Sequence, residues 1–473
     1  MVLDLNRRYA VLILGNKTVV YRTPEDGEPD DRLVNYLTVD ACRQLLANQS
    51  VLVSNGRNLV PVPAFEFWLQ HPLRRTYDRV VFKPGIVVPP NLINIWQGFA
   101  CEPDPSGDCC LFYDMLLKGF CAGNMEHFTW LMSWLAQIFQ QPMNKMGSSV
   151  VIRGLEGCGK SLLGRILKAL LSKHYLSVSQ QRHLVGNFNS HLQGKLVIHA
   201  DESFWAGDKQ ARGALLDLVT GDTLNIEMKG AELYSIDNFI RLLVTGNPDW
   251  QVPAGWNARR WFVLTDSGRF VGNHKFFEAL VGQMERGGYG RLLYDLLRWD
   301  HQQVNLREVP KTEGLMAQKI HSASPEESWL MDLLNRGVLP GGCKMPNACA
   351  KHLLLEQFVQ RGGWQQGRSS ETKLGLFLKK RLPRLESARV LIRYYKTFRH
   401  MRDDFPSEER ARVWVFPSLA ECREAFAAST QQTVVWDEQA EWEHEIPWPK
   451  DTPASNVKAE NPPSHSQLGL DYD

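Results

Sequence analysis

The stretch VVIRGLEGCGKS, residues 150–161, fits the pattern G-x-x-x-x-G-K-[ST] without a gap and decides the fold of this chain. A short β-branched run stands before the glycines, and an amphipathic helical pattern follows Ser161. A glycine-rich turn between a strand and a helix, in this order, is typical of a phosphate-binding loop. The residues expected around the phosphates are Gly154, Leu155, Glu156, Gly157, Cys158, Gly159, Lys160 and Ser161.

Each residue type in this loop has a chemical reason to be there. Glycines let backbone N–H groups turn inward around a phosphate without a Cβ in the way. The N-terminal dipole of the following helix points at the same anion. Lys160 is expected to contact the β- and γ-phosphates, and Ser161 to offer a hydroxyl to Mg²⁺. We therefore predict a site for ATP with Mg²⁺, since an empty glycine-rich turn does not require the Lys-Ser pair.

A second apolar strand, 194–200, ends in the carboxylates Asp201 and Glu202 about 40 residues after the loop. ATPases with such a loop hold Mg²⁺ through an acidic residue at the end of a neighbouring strand, and Asp201 suits this role beside Ser161. Glu202 is then placed to polarise the attacking water as a general base. An apolar strand ending in Asp-Glu is common, and only its distance from the loop makes it informative.

The apolar strand 239–246 ends at Asn247, which can orient the attacking water or sense the γ-phosphate. Arg259 and Arg260 stand just before another apolar strand. An arginine there could reach the nucleotide of a neighbouring subunit and neutralise transition-state charge. The alternative for this pair is an ordinary exposed basic turn.

Between these strands, residues 223–236 alternate in polarity as a β-hairpin with Lys229 and Gly230 near its tip. A solvated turn also accounts for a charged residue at this position. The segment is informative because of its place between the acidic strand and the strand ending at Asn247.

Four ordered motifs over roughly 90–290 make the chain resemble a superfamily 3 helicase of the AAA+ class. These motifs are the phosphate loop, Asp201-Glu202, the Lys229 hairpin and the strand ending at Asn247. The resemblance is to the branch found in phage, plasmid and satellite replication proteins and in the helicase part of poxvirus-type primase-helicases. The Arg259-Arg260 pair is similar to the arginine finger of this family.

The resemblance implies an α/β fold with an AAA+ P-loop core, a parallel sheet flanked by helices. It also implies a homo-oligomeric ring, usually a hexamer, with ATP bound between subunits. The Lys229 hairpin would project into the pore and follow one DNA strand, with 3′ to 5′ movement. Many relatives carry a primase–polymerase domain ahead of the helicase, but residues 1–90 show no acidic motif of that kind, so we do not expect this chain to make primers.

The C-terminal third shows three helical patterns, 325–335, 347–360 and 370–381, followed by two β-like runs, 390–395 and 413–416. Helix–helix–helix–hairpin is the order of a winged helix. Residues 361–402 hold twelve Lys or Arg and two acidic residues, a local charge of +10. Such a patch would neutralise DNA phosphates, although a merely solvated basic face has the same composition. The expected contacts are Lys373, Lys380, Arg384, Arg393 and Lys396.

The bulk composition, with 44% hydrophobic and 22% charged residues in 473, is that of a globular protein of several domains. Nine cysteines without metal-binding spacing indicate reduced thiols, and no apolar run is long enough for a membrane span, so we expect a cytoplasmic location. The expected organisation is an N-terminal α+β domain (1–90), a helical collar or lead-in (91–145), the ATPase core (146–300), a linker (301–324), a winged-helix-like domain (325–430) and an acidic disordered tail (431–473).

The function expected from these patterns is ATP-dependent unwinding of DNA during replication of a mobile genetic element. Single- and double-stranded DNA would be the substrates, with a primase, polymerase or sliding clamp as further partners. Two alternatives stay open at this point. One is a replication initiator or origin-binding platform that leaves unwinding to another helicase, and the other is an ATPase of an anti-phage system.

Overall fold

The computed structural model describes residues 1–23, 33, 35–186, 188–202, 209–228, 232–247, 252–362, 370–395, 397–398, 401–402, 406–430, 434 and 436–448. The chain divides into two compact units, Met1–Ser322 and Ala323–Asp473. All nine cysteines are free thiols in this structure, and seven of them are buried.

The first unit begins with small sheets and short helices. Its elements are α1 (Val2–Arg8), β1 (Tyr9–Leu14), β2 (Lys17–Arg22), β3 (Asn35–Thr38), α2 (Val39–Leu45), β4 (Ser50–Ser54), β5 (Leu59–Pro63), α3 (Ala64–Gln70), β6 (Thr76–Tyr77), β7 (Arg79–Val81) and β8 (Leu92–Asn94). One sheet has the order β3-β2-β1-β6, and β4–β5 and β7–β8 are separate two-stranded sheets. Alternate residues of β1 face two cores, because Tyr9 and Val11 contact the helices while Ala10 and Leu12 join the main core.

The middle of the first unit contains the segments around the phosphate loop. They are α4 (Cys110–Asp114), a π-helical stretch (Met115–Phe120), α5 (Met125–Gln140), β9 (Ser149–Arg153), α6 (Lys160–Leu171), β10 (Tyr175–Val178), α7 (Arg182–Val185), β11 (Val197–Asp201), α8 (Lys209–Thr220), β12 (Thr223–Ile226), β13 (Tyr234–Asp237), β14 (Arg241–Gly246), β15 (Trp261–Thr265), α9 (His274–Gln283), α10 (Tyr289–Arg298) and α11 (Glu313–His321).

Five of these strands form one sheet in the order β10-β11-β14-β9-β15, and every pair in it is parallel. Its strands are apolar on both faces, as parallel strands covered by helices must be. On one side Val150 and Ile152 contact the core of α5, α6 and α10. On the other side Val151 contacts the core that includes α8 and α11. The sheet is therefore the middle layer of three.

The parallel arrangement places the carboxyl ends of all five strands at one edge of the sheet. β9 is paired on both sides, with β14 and β15 as its neighbours. β11 lies next to β14, so that Asp201 pairs in register with Thr245. The loops that leave β9, β11 and β14 consequently meet at this edge.

Two predictions for the first unit are wrong in part. Residues 91–145 were expected to be mostly helical, but helix begins only at Cys110. Before it, Leu92–Asn94 pair with β7 as a strand. The side chain of Asn94 accepts a hydrogen bond from the N–H of Lys83 at 3.0 Å and donates one to its carbonyl at 2.8 Å. The linker expected at 301–324 contains α11, whose Leu315 is buried against the sheet. The sequence of this helix is mostly polar because only a narrow side of it is buried, so it gave no helical pattern of apolar residues.

The second unit has its own sheet and helices. Its elements are α12 (Pro325–Arg336), β16 (Val338–Leu339), β17 (Gly342–Cys343), β18 (Ala348–Ala350), α13 (Lys351–Gln360), α14 (Ser370–Arg381), β19 (Glu386–Tyr394), β20 (Thr397–Phe398), β21 (Met401–Arg402), β22 (Ser407–Val415), α15 (Leu419–Thr430) and β23 (Glu443–His444). β17, β19, β22 and β18 form an antiparallel sheet, in which β19 and β22 pair over nine residues. The three predicted helices and two predicted strands fall on α12, α13, α14, β19 and β22.

The acidic tail expected to be disordered from residue 431 is ordered over part of its described length. Trp442 and Ile446 are buried, and the indole of Trp442 donates a hydrogen bond to the carbonyl of Pro417 at 2.8 Å. β23 pairs in parallel with β16. Charges and prolines predict disorder here, but the burial of Trp442 and Ile446 offsets the ordering entropy.

Candidate functional site

The loop between β9 and α6 can take its shape only with glycines at three positions. Gly157 and Gly159 have φ of 77° and 98°, in the left-handed region that side chains disfavour. A Cβ on Gly159 would lie 2.8 Å from the ring of Phe277, and one on Gly154 would lie 2.7 Å from the Cβ of Asp266. The loop is thus pressed between α9 and the end of β15.

Lys160 is the first residue of α6 and is only 7% exposed. Its Nζ donates hydrogen bonds of 2.8 Å to the carbonyls of Gly154 and Leu155 and to the Oδ1 of Asn247. The amide of Asn247 reaches back to Glu156 at 3.4 Å. The predicted lysine and asparagine therefore meet, although 87 residues separate them in the chain.

Ser161 and Asp201 also meet at this edge. The hydroxyl of Ser161 donates to the Oδ2 of Asp201 at 3.2 Å. The Oδ1 of Asp201 accepts a second hydrogen bond of 2.5 Å from the hydroxyl of Thr245. A hydroxyl and a carboxylate side by side are oxygen ligands of the kind that Mg²⁺ prefers, so these residues fit the predicted metal.

Glu202 is one of three residues other than glycine with a positive φ, at 55°, within the described residues. Its N–H donates to the carbonyl of Thr245 at 2.8 Å, which fixes the backbone at this turn. A conformation of this kind costs of order 1–3 kcal/mol and is found mostly at functional sites. Glu202 is exposed and lines the space in front of the loop.

These side chains line one cleft of about 250 Å³. The lining residues are Glu156, Gly157, Gly159, Lys160, Ser161, Leu162, Arg165, Asp201, Glu202, Asn247 and Phe277. Arg165 and Phe277 were not predicted. Arg165 follows Ser161 by four residues and so shares its face of α6, a signal that helical periodicity carries. Phe277 lies on α9, and no local sequence pattern indicates that it lines the cleft.

Cys158 and Asp266 lie behind the loop rather than in the cleft. Burial raises the pKa of the Cys158 thiol above its ordinary value, so the protonated form is favoured at neutral pH. Burial likewise raises the pKa of Asp266, against the opposite effect of the N–H of Gly268. These two groups are packing partners of the loop.

Arg259 and Arg260 are not in this cleft. Both precede β15, which runs parallel to β9, so they lie at the amino edge of the sheet while the loop lies at the carboxyl edge. The five residues of β15 put roughly 16 Å between the two edges. Arg259 is exposed, and Arg260 contacts the carbonyl of Gly147 at 3.5 Å. Neither arginine can serve the cleft of its own chain.

The predicted DNA-binding residues divide into three groups. Lys229, Gly230 and Lys396 lie outside the described residues, although β12 and β13 form the predicted hairpin with Ile226 opposite Tyr234. Lys373 and Lys380 are exposed on α14. Arg384 and Arg393 form ion pairs with Glu421 at 2.9 Å and with Glu408 at 3.0 Å.

Two further lysines of the second unit surround one indole. The Nζ of Lys351 lies 3.8 Å from the ring centroid of Trp414, and that of Lys379 lies 5.4 Å from it. Gly375 lets α14 approach this ring, because a Cβ there would be 2.8 Å from it. Lys351 lies outside the basic stretch 361–402, so no charge pattern in the sequence signalled it.

No helix in the described ranges is long and apolar enough to cross a membrane. The same ranges contain no group of three or more His, Cys, Asp or Glu side chains arranged to hold a metal.

Comparison with known proteins gives one family match and one similar curated protein. The profile of a family of unknown function (DUF5906) matches residues 152–260. A DNA primase-polymerase of the Nitratiruptor phage NrS-1 is 29% identical over 136 residues, which make up 28% of this chain and 19% of the phage protein. The matched region is thus about a fifth of the length of that relative.

Solved structures of the C-terminal region of NrS-1 are similar in fold. The apo structure of its residues 305–718 matches with a TM-score of 0.57 and 17% identity, over 88% of this chain and 98% of that one. Its A form apo structure gives a TM-score of 0.57 and 16% identity over the same shares. At this identity the likeness concerns the fold alone.

Proposed function

We propose that this protein is an ATP-dependent DNA helicase that acts in the replication of a phage or a related mobile element. Its core would be a superfamily 3-like AAA+ ATPase, with a winged-helix-like domain in the second unit. One observation carries the proposal. The all-parallel sheet, in the order β10-β11-β14-β9-β15, gathers Lys160, Ser161, Asp201, Glu202 and Asn247 around a single cleft.

The chain's own residues would share the work of hydrolysis as follows. Lys160 would exchange its bonds to the two loop carbonyls for contacts with the β- and γ-phosphates. Ser161 and Asp201 would hold Mg²⁺, which supplies charge neutralisation at the phosphates. Glu202 would accept a proton from the attacking water, and Asn247 would orient that water.

The position of the arginines supports a site shared between subunits. The cleft of about 250 Å³ is smaller than the roughly 300–1,000 Å³ of most small-molecule sites, as half of a site would be. Arg259 and Arg260 lie at the opposite edge of the same sheet. In a homo-oligomeric ring, a hexamer in the family that the chain resembles, these arginines would complete the cleft of a neighbouring copy.

Similarity to a phage primase-polymerase supports DNA replication as the setting. Its priming and polymerising activities are not extended to this chain, because the match covers 19% of that protein. The Lys229 hairpin would follow single-stranded DNA in the 3′ to 5′ direction, and Lys373 and Lys380 would contact duplex phosphates. A primase, a polymerase or a sliding clamp would be the expected partners.

The test is ATP hydrolysis with and without single-stranded DNA, together with unwinding of a forked duplex. Lys160→Ala should abolish nucleotide binding and both activities. Glu202→Gln should keep ATP binding and lower hydrolysis by about 10²-fold or more, because it removes only the general base. Lys229→Ala should keep hydrolysis and lose unwinding.

Lys168→Ala is the matched control for Lys160→Ala, since Lys168 is exposed on the same helix and outside the cleft. Its activities should equal those of the wild type. An ATP hydrolysis rate that does not change with single-stranded DNA, together with no unwinding, would reject the helicase function. It would favour the initiator platform or the anti-phage ATPase. Normal unwinding by Lys229→Ala would remove the hairpin from the mechanism.

A further inference from the structure

A chain of buried hydrogen bonds crosses three neighbouring strands and ends at the metal-site carboxylate. The hydroxyl of Tyr175 on β10 lies 2.6 Å from the Nδ1 of His199 on β11. The Nε2 of His199 lies 2.6 Å from the Oγ1 of Thr245 on β14. Thr245 in turn contacts the Oδ1 of Asp201 at 2.5 Å. We refer to Tyr175, His199 and Thr245 as the strand-crossing chain.

The direction of every bond in this chain is fixed by its last member. The Asp201 carboxylate only accepts hydrogen bonds, so the hydroxyl proton of Thr245 points at it. The Oγ1 of Thr245 then accepts from His199, which must carry its proton on Nε2. The Nδ1 of that neutral imidazole is an acceptor, so the hydroxyl of Tyr175 donates to it. All three protons therefore point toward Asp201.

The strand-crossing chain is sealed from water and lies directly beneath the phosphate-loop helix. Tyr175, His199 and Thr245 are 6%, 2% and 0% exposed. Gly164 of α6 covers the first two, since a Cβ there would lie 2.4 Å from the Nδ1 of His199 and 2.7 Å from the hydroxyl of Tyr175. The same side chains thus seat the helix that carries Ser161 and hold one oxygen of Asp201.

We propose that Tyr175, His199 and Thr245 are positioning residues that orient the Asp201 carboxylate for a divalent cation. The proposal rests on the ATPase function proposed above. With Oδ1 engaged by Thr245, Oδ2 is the oxygen that faces Ser161 at 3.2 Å. The carbonyl of Thr245 also accepts from the N–H of Glu202, so one residue sets the position of both acids. Buried partners of this kind restrict a metal-site group to one orientation.

The test removes single hydroxyls while keeping the shape of the side chains. Thr245→Val should weaken Mn²⁺ binding, measured by electron paramagnetic resonance with a non-hydrolysable ATP analogue, by about tenfold or more. Tyr175→Phe should weaken it less, because it acts two bonds further away. Binding of the analogue without metal should not change in either variant. Thr245→Ser keeps the hydroxyl and should retain most of the Mn²⁺ affinity.

Ser149→Ala is the matched control for losing a buried hydroxyl in the same sheet. Ser149 lies on β9 and is fully buried, and its Oγ has no hydrogen-bond partner among the residues that the structure describes. Its Mn²⁺ affinity should match the wild type. Adding Tyr175→Phe to Thr245→Val should cost little further affinity, since the link to Asp201 is already cut.

Two outcomes would overturn the inference. One is wild-type Mn²⁺ affinity in Thr245→Val, even with a lower melting temperature, and the other is equal loss in Thr245→Ser and Thr245→Val. If Thr245→Val does not fold, unchanged Mn²⁺ affinity in Tyr175→Phe decides against it. A wild-type protein that neither binds Mn²⁺ with the nucleotide analogue nor hydrolyses ATP would instead reject the proposed function.

Discussion

Some single side chains hold distant segments together, although no sequence pattern indicates it. Arg241 begins the strand β14 and is only 2% exposed. Its guanidinium donates to the side chain of Gln137 and to the carbonyls of Pro142, Phe239, Gln141 and Asn144, at 2.9–3.1 Å. Burial lowers its pKa to about 9, and the bonds compensate the buried charge. This arginine ties the end of α5 to the sheet.

The buried imidazole of His174 should make the free energy of unfolding depend on pH. The imidazole is fully buried and stacked on Trp96, with ring centroids 4.5 Å apart. Burial lowers the pKa of His174 to about 4 in the folded protein, whereas the pKa of a histidine in the unfolded chain is about 6.5. Between these two pH values the imidazole is protonated in the unfolded chain but neutral in the folded one. Stability should therefore fall from pH 6.5 to pH 4, by up to about 3 kcal/mol from this group.

Urea unfolding of the first unit between pH 7.5 and pH 5 measures this dependence. His174→Gln should be less stable at pH 7.5, because the stacking is lost, but should lose less stability on acidification. His321→Gln changes an exposed histidine and should keep the wild-type pH dependence. Equal pH dependence in His174→Gln and the wild type would contradict the assignment.

At the scale of elements, α11 shows how a helix can be missed. Its N-cap Thr312 donates its hydroxyl to the carbonyl of Val263 at 2.6 Å, which joins the helix to β15. Gly314 allows the close approach, since a Cβ there would meet the Cγ1 of Val263 at 2.9 Å and its carbonyl oxygen at 3.0 Å. Sequence periodicity was weak because a glycine and polar side chains form this contact.

Two glycine-to-alanine substitutions in helices should have opposite effects on stability. Gly213 of α8 is exposed with nothing within 4 Å of its added Cβ, so Gly213→Ala should stabilise by about 0.5–1 kcal/mol. Gly314→Ala should destabilise by roughly 1–2 kcal/mol, because the clash with β15 exceeds the gain in helix propensity. Chemical denaturation of both variants measures the difference. Stabilisation by Gly314→Ala would mean that α11 does not pack on the sheet.

At the scale of the whole molecule, the two edges of the parallel sheet carry different groups. The phosphate loop, Asp201 and Asn247 follow the carboxyl ends of β9, β11 and β14. Arg259 and Arg260 precede the amino end of β15. A single copy therefore presents the cleft of the proposed nucleotide site on one edge and an arginine pair on the other, an arrangement that would suit head-to-tail assembly.

Mixing two inactive variants tests this arrangement. Arg260→Ala should bind ATP like the wild type and hydrolyse it at least about 10²-fold more slowly, as expected for loss of transition-state charge stabilisation. Mixed with Lys160→Ala, it should regain part of the activity, because an intact cleft then meets an intact arginine. Steady-state hydrolysis at varied mixing ratios measures the recovery. Activity that stays at the sum of the two variants would place the arginine outside the shared site.

The sequence predicted the parts of the site that local constraints encode. Apolar runs identified β9, β11, β14 and β15 because buried parallel strands need such side chains on both faces. It failed where few residues signal structure, as in the helix within 301–324. It failed also for 436–448, where aromatic side chains outweigh the charges around them.

By itself, the sequence determined the loop 154–161 and placed the polar groups Asp201 and Asn247 at strand ends. Both depend on local properties, because glycines give the loop its backbone freedom and the apolar runs give the strands their pattern. Only the tertiary structure decided which distant groups meet them. It placed Phe277 against Gly159, set Tyr175, His199 and Thr245 in line with Asp201, and sent Arg259 and Arg260 to the far edge. Strand order fixes such neighbours, and strand order follows from how the helices cover the sheet rather than from any short pattern.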